Sequence, residues 1–562
     1  MKKVVALALA LTMAVSLAAC GTTAPAGSGS GTSAAATTGL YPGTAAPDSA
    51  AINIASEPPE VNSITTTDST AFTVLQHVNE GLTSLDAENN AVPGVAESWT
   101  PSEDGLTWIF KLRENAVWSN GEPVTAHDFD FAWTRLFTPA SGAQYAGTWS
   151  TYIQGAAELL AATTEEEVKA AQENLGVKAV DDYTLEVSLN IPCAYFPNLV
   201  AFASFYPVNE KFYTEVGMED GYALDMDKML FNGPYVMTEW QHEDHISLTK
   251  NENYWDKENK ALIPNLEFKM IGDSGAGLNA FQGGELDMIG LSGEQAEMLR
   301  AEGTNVQQYA DGSPLYLQYN TTTPLLSSAK VRRAITLAID AESYNKNVAK
   351  NGNLTADGMV PPVVNNGKYS EKRGDLINRP TDGDYTEVKA LFDEGCAELN
   401  IDPSTVTLRY ITDEGDNAYK MAAFVQNELK EKLGVNITIE AMPFKSRLDA
   451  QTNMDFDICP ALWGPDYDDA MTYLDLFASE SGNNHTGWAN EEYDALIEAA
   501  FHEGDAVKHR DLLIQAETLL MEEMPIGPIY FRVRDYVTSD KLTGVVRNAF
   551  QETVMNYATI VG

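Results

Sequence analysis

Apolar residues along this chain recur at two spacings, and the alternation between them predicts the elements. Ala51-Ile52-Asn53-Ile54-Ala55 alternates in the manner of a strand, while residues 71 to 82 place Phe72, Leu75, Val78 and Leu82 at helical spacing, with Gly81 near the end. Leu106 to Leu112 reads as a strand with Trp108, Phe110 and Leu112 on one face. Asn120-Gly121 marks a turn. Thr125 is then a helix N-cap with Asp128 as its capping-box partner, ahead of Phe129, Ala132, Trp133 and Leu136. Strand patterns return at 183–189 and across 235–248. Strand-like 316–320 precedes a helix over 330–339, with Val331, Ala334, Ile335 and Ala338 on one side. A strand over 406–411, an amphipathic helix over 417–433 capped by Gly434 and a second strand over 435–439 form a βαβ unit, which requires a parallel pair. The mixture predicts an α/β protein with some antiparallel pieces and no internal repeat.

The first twenty residues follow different rules. Lys2 and Lys3 precede an apolar run from Val4 to Val15, too short to span a bilayer, and Leu17-Ala18-Ala19-Cys20-Gly21 follows. This predicts a signal peptide over 1–19. The small residues before Cys20 are similar to a bacterial lipobox, which implies lipidation of Cys20; an ordinary signal peptide ending near a cysteine is the competing reading. Residues 21 to 50 are dominated by Gly, Ser, Thr, Ala and Pro with almost no charge or large apolar side chain, so 20–50 reads as a lipidated, flexible tether. No later run approaches eighteen apolar residues, so the body is expected to sit outside the membrane, held by its lipid.

The roughly 510 residues beyond the tether suffice for two or three domains. A formal charge of −45 disfavours nucleic acid and anionic headgroups as partners. Beyond Cys20 only Cys193, Cys396 and Cys459 remain, which allows at most one internal disulfide and offers no CxxC pair for zinc.

Catalytic constellations are thin. There is no HExxH, GxSxG or Walker loop, and in Gly272-Asp273-Ser274-Gly275-Ala276-Gly277 an alanine stands where a nucleophile turn needs its second glycine. His242-Glu243-Asp244-His245 falls between two strand patterns and reads as an exposed hairpin turn rather than a metal site. Carboxylates are too numerous for any pair to be informative. Neither catalysis, a metal nor a cofactor is expected.

A different set of motifs is informative. Pro93-Gly94-Val95-Ala96-Glu97-Ser98-Trp99 leads into Asp104 to Arg113 and then into Val117-Trp118-Ser119-Asn120-Gly121-Glu122-Pro123-Val124-Thr125-Ala126-His127-Asp128-Phe129. Asn232-Gly233-Pro234-Tyr235, Lys250 to Asp256, Ala280 to Asp287, Val331 to Asp340, Phe456-Asp457-Ile458 and Trp463-Gly464-Pro465-Asp466-Tyr467 follow in order. Together they resemble the extracellular solute-binding protein family that includes oligopeptide- and dipeptide-binding proteins.

The resemblance implies two α/β lobes joined by a hinge: lobe I from 51–80, 206–305 and 535–562, lobe II from 306–534, and an extra domain inserted at 81–205. Trp99, Trp108, Trp118 and Trp133 are expected in the core of that insertion. It further implies a monomer that engulfs a small peptide and presents it to the permease and ATPase of an ABC importer. Strand-like pairing with the ligand is expected at Glu60 and Val61 and at Trp463, Gly464 and Pro465. Asp466 is expected to meet the peptide amino terminus, with Tyr145 and Tyr316 facing the cleft. One position departs: where some oligopeptide binders carry an arginine for the ligand carboxylate, this chain has Pro460, and Arg447 or Lys445 would have to supply a substitute charge. Other ligands of the family therefore stay open, namely a nickel chelate, haem, an opine or an oligosaccharide, as does a receptor for peptide signals. A surface hydrolase or chaperone on the same fold would differ in turning peptides over.

Overall fold

Two strands of thirteen residues, Gln307–Tyr319 and Ile526–Thr538, run antiparallel through the middle of the molecule. At more than twice the usual strand length, they link what lies on either side. The computed structural model describes residue 41 and residues 43–561, apart from 88, 194, 504 and 552. Within them the fold is mixed α/β with several sheets.

The main sheet has eleven strands. On one side of the long pair lie Ile458–Leu462, Thr407–Asp413 and Asn436–Met442, the last three mutually parallel. On the other side lie Met288–Leu291, Ser49–Asn53 and Asn265–Lys269, also parallel, and then the antiparallel hairpin His245–Lys250 and Tyr235–Gln241. The pairing of the long strands shifts register between Ala310 and Pro314. The insertion there is Asp311-Gly312-Ser313, with Gly312 at φ +72°. Glycine adopts this left-handed conformation without the steric cost a Cβ would bring, and one type of bulge is built on such a glycine.

A separate antiparallel sheet orders Ala96–Pro101, Thr107–Leu112, Thr184–Ser188 and Val177–Asp181. Alternation buries Trp108, Phe110 and Leu112, and the helix Ala126–Phe137 packs on the sheet. That helix starts at its predicted cap: the Asp128 carboxylate accepts from the Thr125 N–H at 2.7 Å and from its hydroxyl at 3.0 Å. Trp118 and Trp133 are also buried, the latter donating to the Phe205 carbonyl at 2.9 Å, while Trp99 is only partly covered.

The βαβ unit is present as Thr407–Asp413, helix Asp416–Lys432 and Asn436–Met442, with the strands parallel in register and Gly434 at φ +79° after the helix. Gly272 to Gly277 is no nucleophile turn: the helix Ser274–Gln282 begins inside it, capped by Asp273. His242 to Asp244 form the turn of a hairpin, and His242 meets Glu57 at 2.5 Å. Cys193, Cys396 and Cys459 are buried and unpaired. Cys20 and the signal segment lie outside the described residues. The end of the expected tether is already docked, because Thr44 donates through its backbone and hydroxyl to Asp287, at 3.0 and 2.8 Å.

Candidate functional site

A cavity of about 380 Å³ opens where the long strands bulge. Its shape follows from the chain around it. The strand Ile458–Leu462 pairs with Gln307–Tyr319 as far as Leu462 opposite Leu315. Pro465, with no N–H to give, cannot continue a ladder, and Trp463-Gly464-Pro465 leaves the sheet to line the cavity. Gly312 packs behind it: a Cβ there would sit 2.8 Å from Pro465 Cγ, and its carbonyl accepts from the Tyr473 hydroxyl at 2.8 Å.

Asp466 follows, partly buried, with its remaining surface on the cavity. Its Oδ1 accepts from the Tyr145 hydroxyl at 2.9 Å, Thr472 donates to Oδ2 at 3.4 Å, and the Asp466 N–H donates to the Thr472 hydroxyl at 3.1 Å. Burial pushes the carboxyl up to about 7, against the bonds from Tyr145 and Thr472, which pull it down. Tyr145 is held well above the usual tyrosine range, first by burial and then by facing Asp466, so it stays a neutral donor. Tyr145 itself is fixed by stacking on Trp149 at 5.8 Å and meeting Phe202 edge-on at 5.2 Å. Behind Asp466, Asp475 is raised to about 8, by burial and then by Asp466.

A second charged group lies across the bulge. Arg532 and Arg534 each donate through Nε to the same oxygen of Asp311, both at 2.6 Å, and Arg532 also donates to Ser313 Oγ at 3.2 Å. Burial would raise Asp311, yet the two guanidiniums hold it below the usual carboxylate range. A third pair, Lys260 and Glu80 at 3.0 Å, is buried, and Glu80 also accepts from Trp255 Nε1 at 2.7 Å.

Of the residues expected to hold a ligand, the structure brings Tyr145, Trp463, Gly464, Pro465 and Asp466 to one cavity. It does not bring Glu60, Val61 or Tyr316 to its wall. Glu60 accepts from the Thr65 hydroxyl at 2.5 Å, and buried Val61 spends its N–H on Ala223 at 3.1 Å. Tyr316 is buried against Phe477, its centroid 5.9 Å away, one strand position from the site. Arg447 is engaged with Asp413 at 2.8 Å, away from the cavity wall, and the side chain of Lys445 lies outside the described residues. Asp311, Arg532 and Arg534 were not anticipated. Their signal was the alternation Phe531-Arg532-Val533-Arg534, two cations on one strand face over two buried apolar residues.

The model of the bacterial extracellular solute-binding proteins, family 5 Middle, matches residues 90–485. The dipeptide-binding protein DppE of Bacillus subtilis (strain 168) is 34% identical over 478 residues, covering 84% of this chain and 85% of that protein. Among solved structures, the substrate-binding domain of an oligopeptide ABC transporter from Bacillus anthracis str. Ames superposes with a TM-score of 0.80 at 34% identity, covering 92% of this chain and 100% of that one. Listeria monocytogenes OppA bound to peptide does so with a TM-score of 0.79 at 31% identity, covering 92% and 99%.

Proposed function

This chain belongs to the bacterial extracellular solute-binding proteins of family 5, and from that premise we propose that it captures short peptides and delivers them to an ABC importer. The observation that carries the reading is Asp466, a carboxylate held at the cavity wall by Tyr145 and Thr472. A peptide amino terminus supplies the cation that such a desolvated acid lacks, and a charge-assisted bond of this kind contributes roughly 1.5–3 kcal/mol. The strand ends at Leu462, and the Trp463-Gly464-Pro465 backbone that leaves the sheet along the cavity supports main-chain pairing with the ligand, which is independent of side-chain identity. Names of the similar proteins, a dipeptide binder and an oligopeptide binder with peptide bound, support the same class.

In this reading the long strands Gln307–Tyr319 and Ile526–Thr538 join two lobes near the bulge, and the lobes close on the ligand. The Leu17-Ala18-Ala19-Cys20 pattern supports a lipid on Cys20 that keeps the protein at the outer face of the membrane. Among the described residues no helix is long and apolar enough to cross one.

Native mass spectrometry of freshly purified protein, followed by calorimetric titration with a mixture of di- to pentapeptides, tests this. Masses of intact short peptides and saturable binding are expected. Retained sugars or chelates, with no heat from peptides, would overturn it.

A further inference from the structure

Tyr467 follows Asp466 but is not part of the cavity wall; it is buried in an aromatic socket supplied by a distant stretch of chain. The helix Ala146–Ser150 and its flanking residues carry Tyr145, Trp149 and Tyr152 at i, i+4 and i+7, which is one helical face. Ring contacts run along that row, at 5.8 Å between the first two centroids and 6.5 Å between the last two. The row grips two consecutive residues more than 300 positions away: Tyr145 donates to Asp466 at 2.9 Å, and Tyr152 donates to the Tyr467 hydroxyl at 3.2 Å. Trp149 lies 6.3 Å from the Tyr467 ring. Tyr195 supplies the flat wall of the socket, stacked on Tyr467 at 5.9 Å with 10° between the planes, and its hydroxyl is 3.3 Å from that of Tyr152.

We propose that Tyr467 and this socket form the latch that holds the protein shut over its ligand. The inference rests on the closure in the reading above, where residues 145–195 lie in the inserted domain and Tyr467 in lobe II, and it names the contact that closure makes. Three features support a separable contact rather than ordinary core. Hydroxyl meets hydroxyl here, and buried hydroxyls need partners, so the contact favours being wholly made or wholly broken. Its side chains are tyrosine and tryptophan, which pack as large apolar bodies yet keep a polar end that tolerates water when the contact opens. Adjacency then couples the latch to the ligand: an ammonium that fixes Asp466 against Tyr145 seats Tyr467, the next residue, against Tyr152 in the same movement. A latch that closes after capture slows escape and leaves encounter alone.

Stopped-flow tryptophan fluorescence on the purified full chain tests this, with the tightest binder of the alanine peptides from two to five residues. Y467F and Y152F keep the rings and lose only the hydroxyl link. Each is expected to raise koff about threefold with kon at the parental value, the effect of one lost hydrogen bond. Because both remove the same bond, the double variant is expected to release peptide no faster than Y152F alone. Y467L, which also removes the ring, is expected to raise koff about tenfold. Parental koff in all three single variants, or additive effects in the double, would overturn the latch while leaving peptide capture standing. A lowered melting temperature of the unliganded protein with parental koff would place these rings in ordinary core and overturn it as well. Binding by none of the alanine peptides would overturn both.

Discussion

At Asp466 the cost that the proposed role would carry is visible in a single carboxyl. Its folded value of about 7 lies above the ordinary 3.8 because burial disfavours the charge. The unliganded fold therefore holds this proton more tightly than the unfolded chain does. Below pH 3.8 the carboxyl is neutral in both states and costs nothing; the penalty grows as pH rises to 7 and is constant above. Water in the cavity screens part of it, which leaves a penalty on the order of 1–3 kcal/mol. D466N keeps an acceptor for Tyr145 but never ionises. It is expected to melt higher than the parent at pH 8 and equally at pH 4, while binding peptides ten- to hundredfold more weakly. Melting curves at the two pH values, with calorimetry, check both halves; equal melting at pH 8 would refute the penalty. This residue was legible because its neighbours Trp463, Gly464 and Pro465 form a recognisable string. The arginines were not, because the acid that gathers them, Asp311, lies 221 and 223 positions away. Glu60, Val61 and Tyr316 lie off this cavity wall, engaged with Thr65, Ala223 and Phe477, partners that their own local strings do not name.

Elements were legible where burial has one direction. The helix Ser69–Val78 follows from Phe72, Leu75 and Val78, yet the pattern missed His77, which is fully buried although it lies off that face. The reason is an element from the other end of the chain. Gln76 donates to Thr553 at 3.0 Å, Asn556 donates to Gln76 at 3.0 Å, and the Met555 N–H donates to His77 Nε2 at 2.9 Å. No periodicity within ten residues can announce a partner more than 470 positions away. Because Nδ1 donates to Thr73 at 2.6 Å while Nε2 accepts, the ring must be neutral, and burial lowers its value to about 4 against the bond to Thr73, which raises it. A depressed histidine contributes stability above 6.5 that is lost as pH falls through 4, in total about 3 kcal/mol. Denaturant titrations between pH 7 and 4 are expected to show this loss most clearly in D466N, where the opposing gain from Asp466 is absent. Replacing His77 by Ala in that background removes most of the slope and lowers stability at pH 7 by about 2 kcal/mol, since the Met555 N–H loses its acceptor. An unchanged slope would refute the assignment.

At the scale of the molecule, the α/β class and the parallel βαβ unit were readable from spacing, but the two long strands were not. Only 316–320 looked strand-like, because Asp311-Gly312-Ser313 breaks the alternation of what is one strand, Gln307–Tyr319. That break is also where the cavity forms, with Gly312 against Pro465 on one side and the Asp311 carboxylate gathering two arginines on the other. On the proposed reading the bulge would join mechanics to recognition, because bending of the long strands there would move the Trp463-Gly464-Pro465 wall packed on Gly312. If the halves close about this point, saturating peptide shrinks the radius of gyration on the order of 1 Å, from the roughly 24 Å expected of a chain this long, and solution scattering will register it. Gly312→Ala addresses the bulge directly. An alanine at φ +72° is strained, and its Cβ would meet Pro465 Cγ at 2.8 Å, so one or the other must move. The variant is expected to lose about 1–2 kcal/mol of stability and, because Pro465 carries the wall that leads into Asp466, to bind peptide at least several-fold more weakly. A G312A protein with parental affinity and parental compaction would show that the bulge is a passive irregularity and that closure is governed elsewhere.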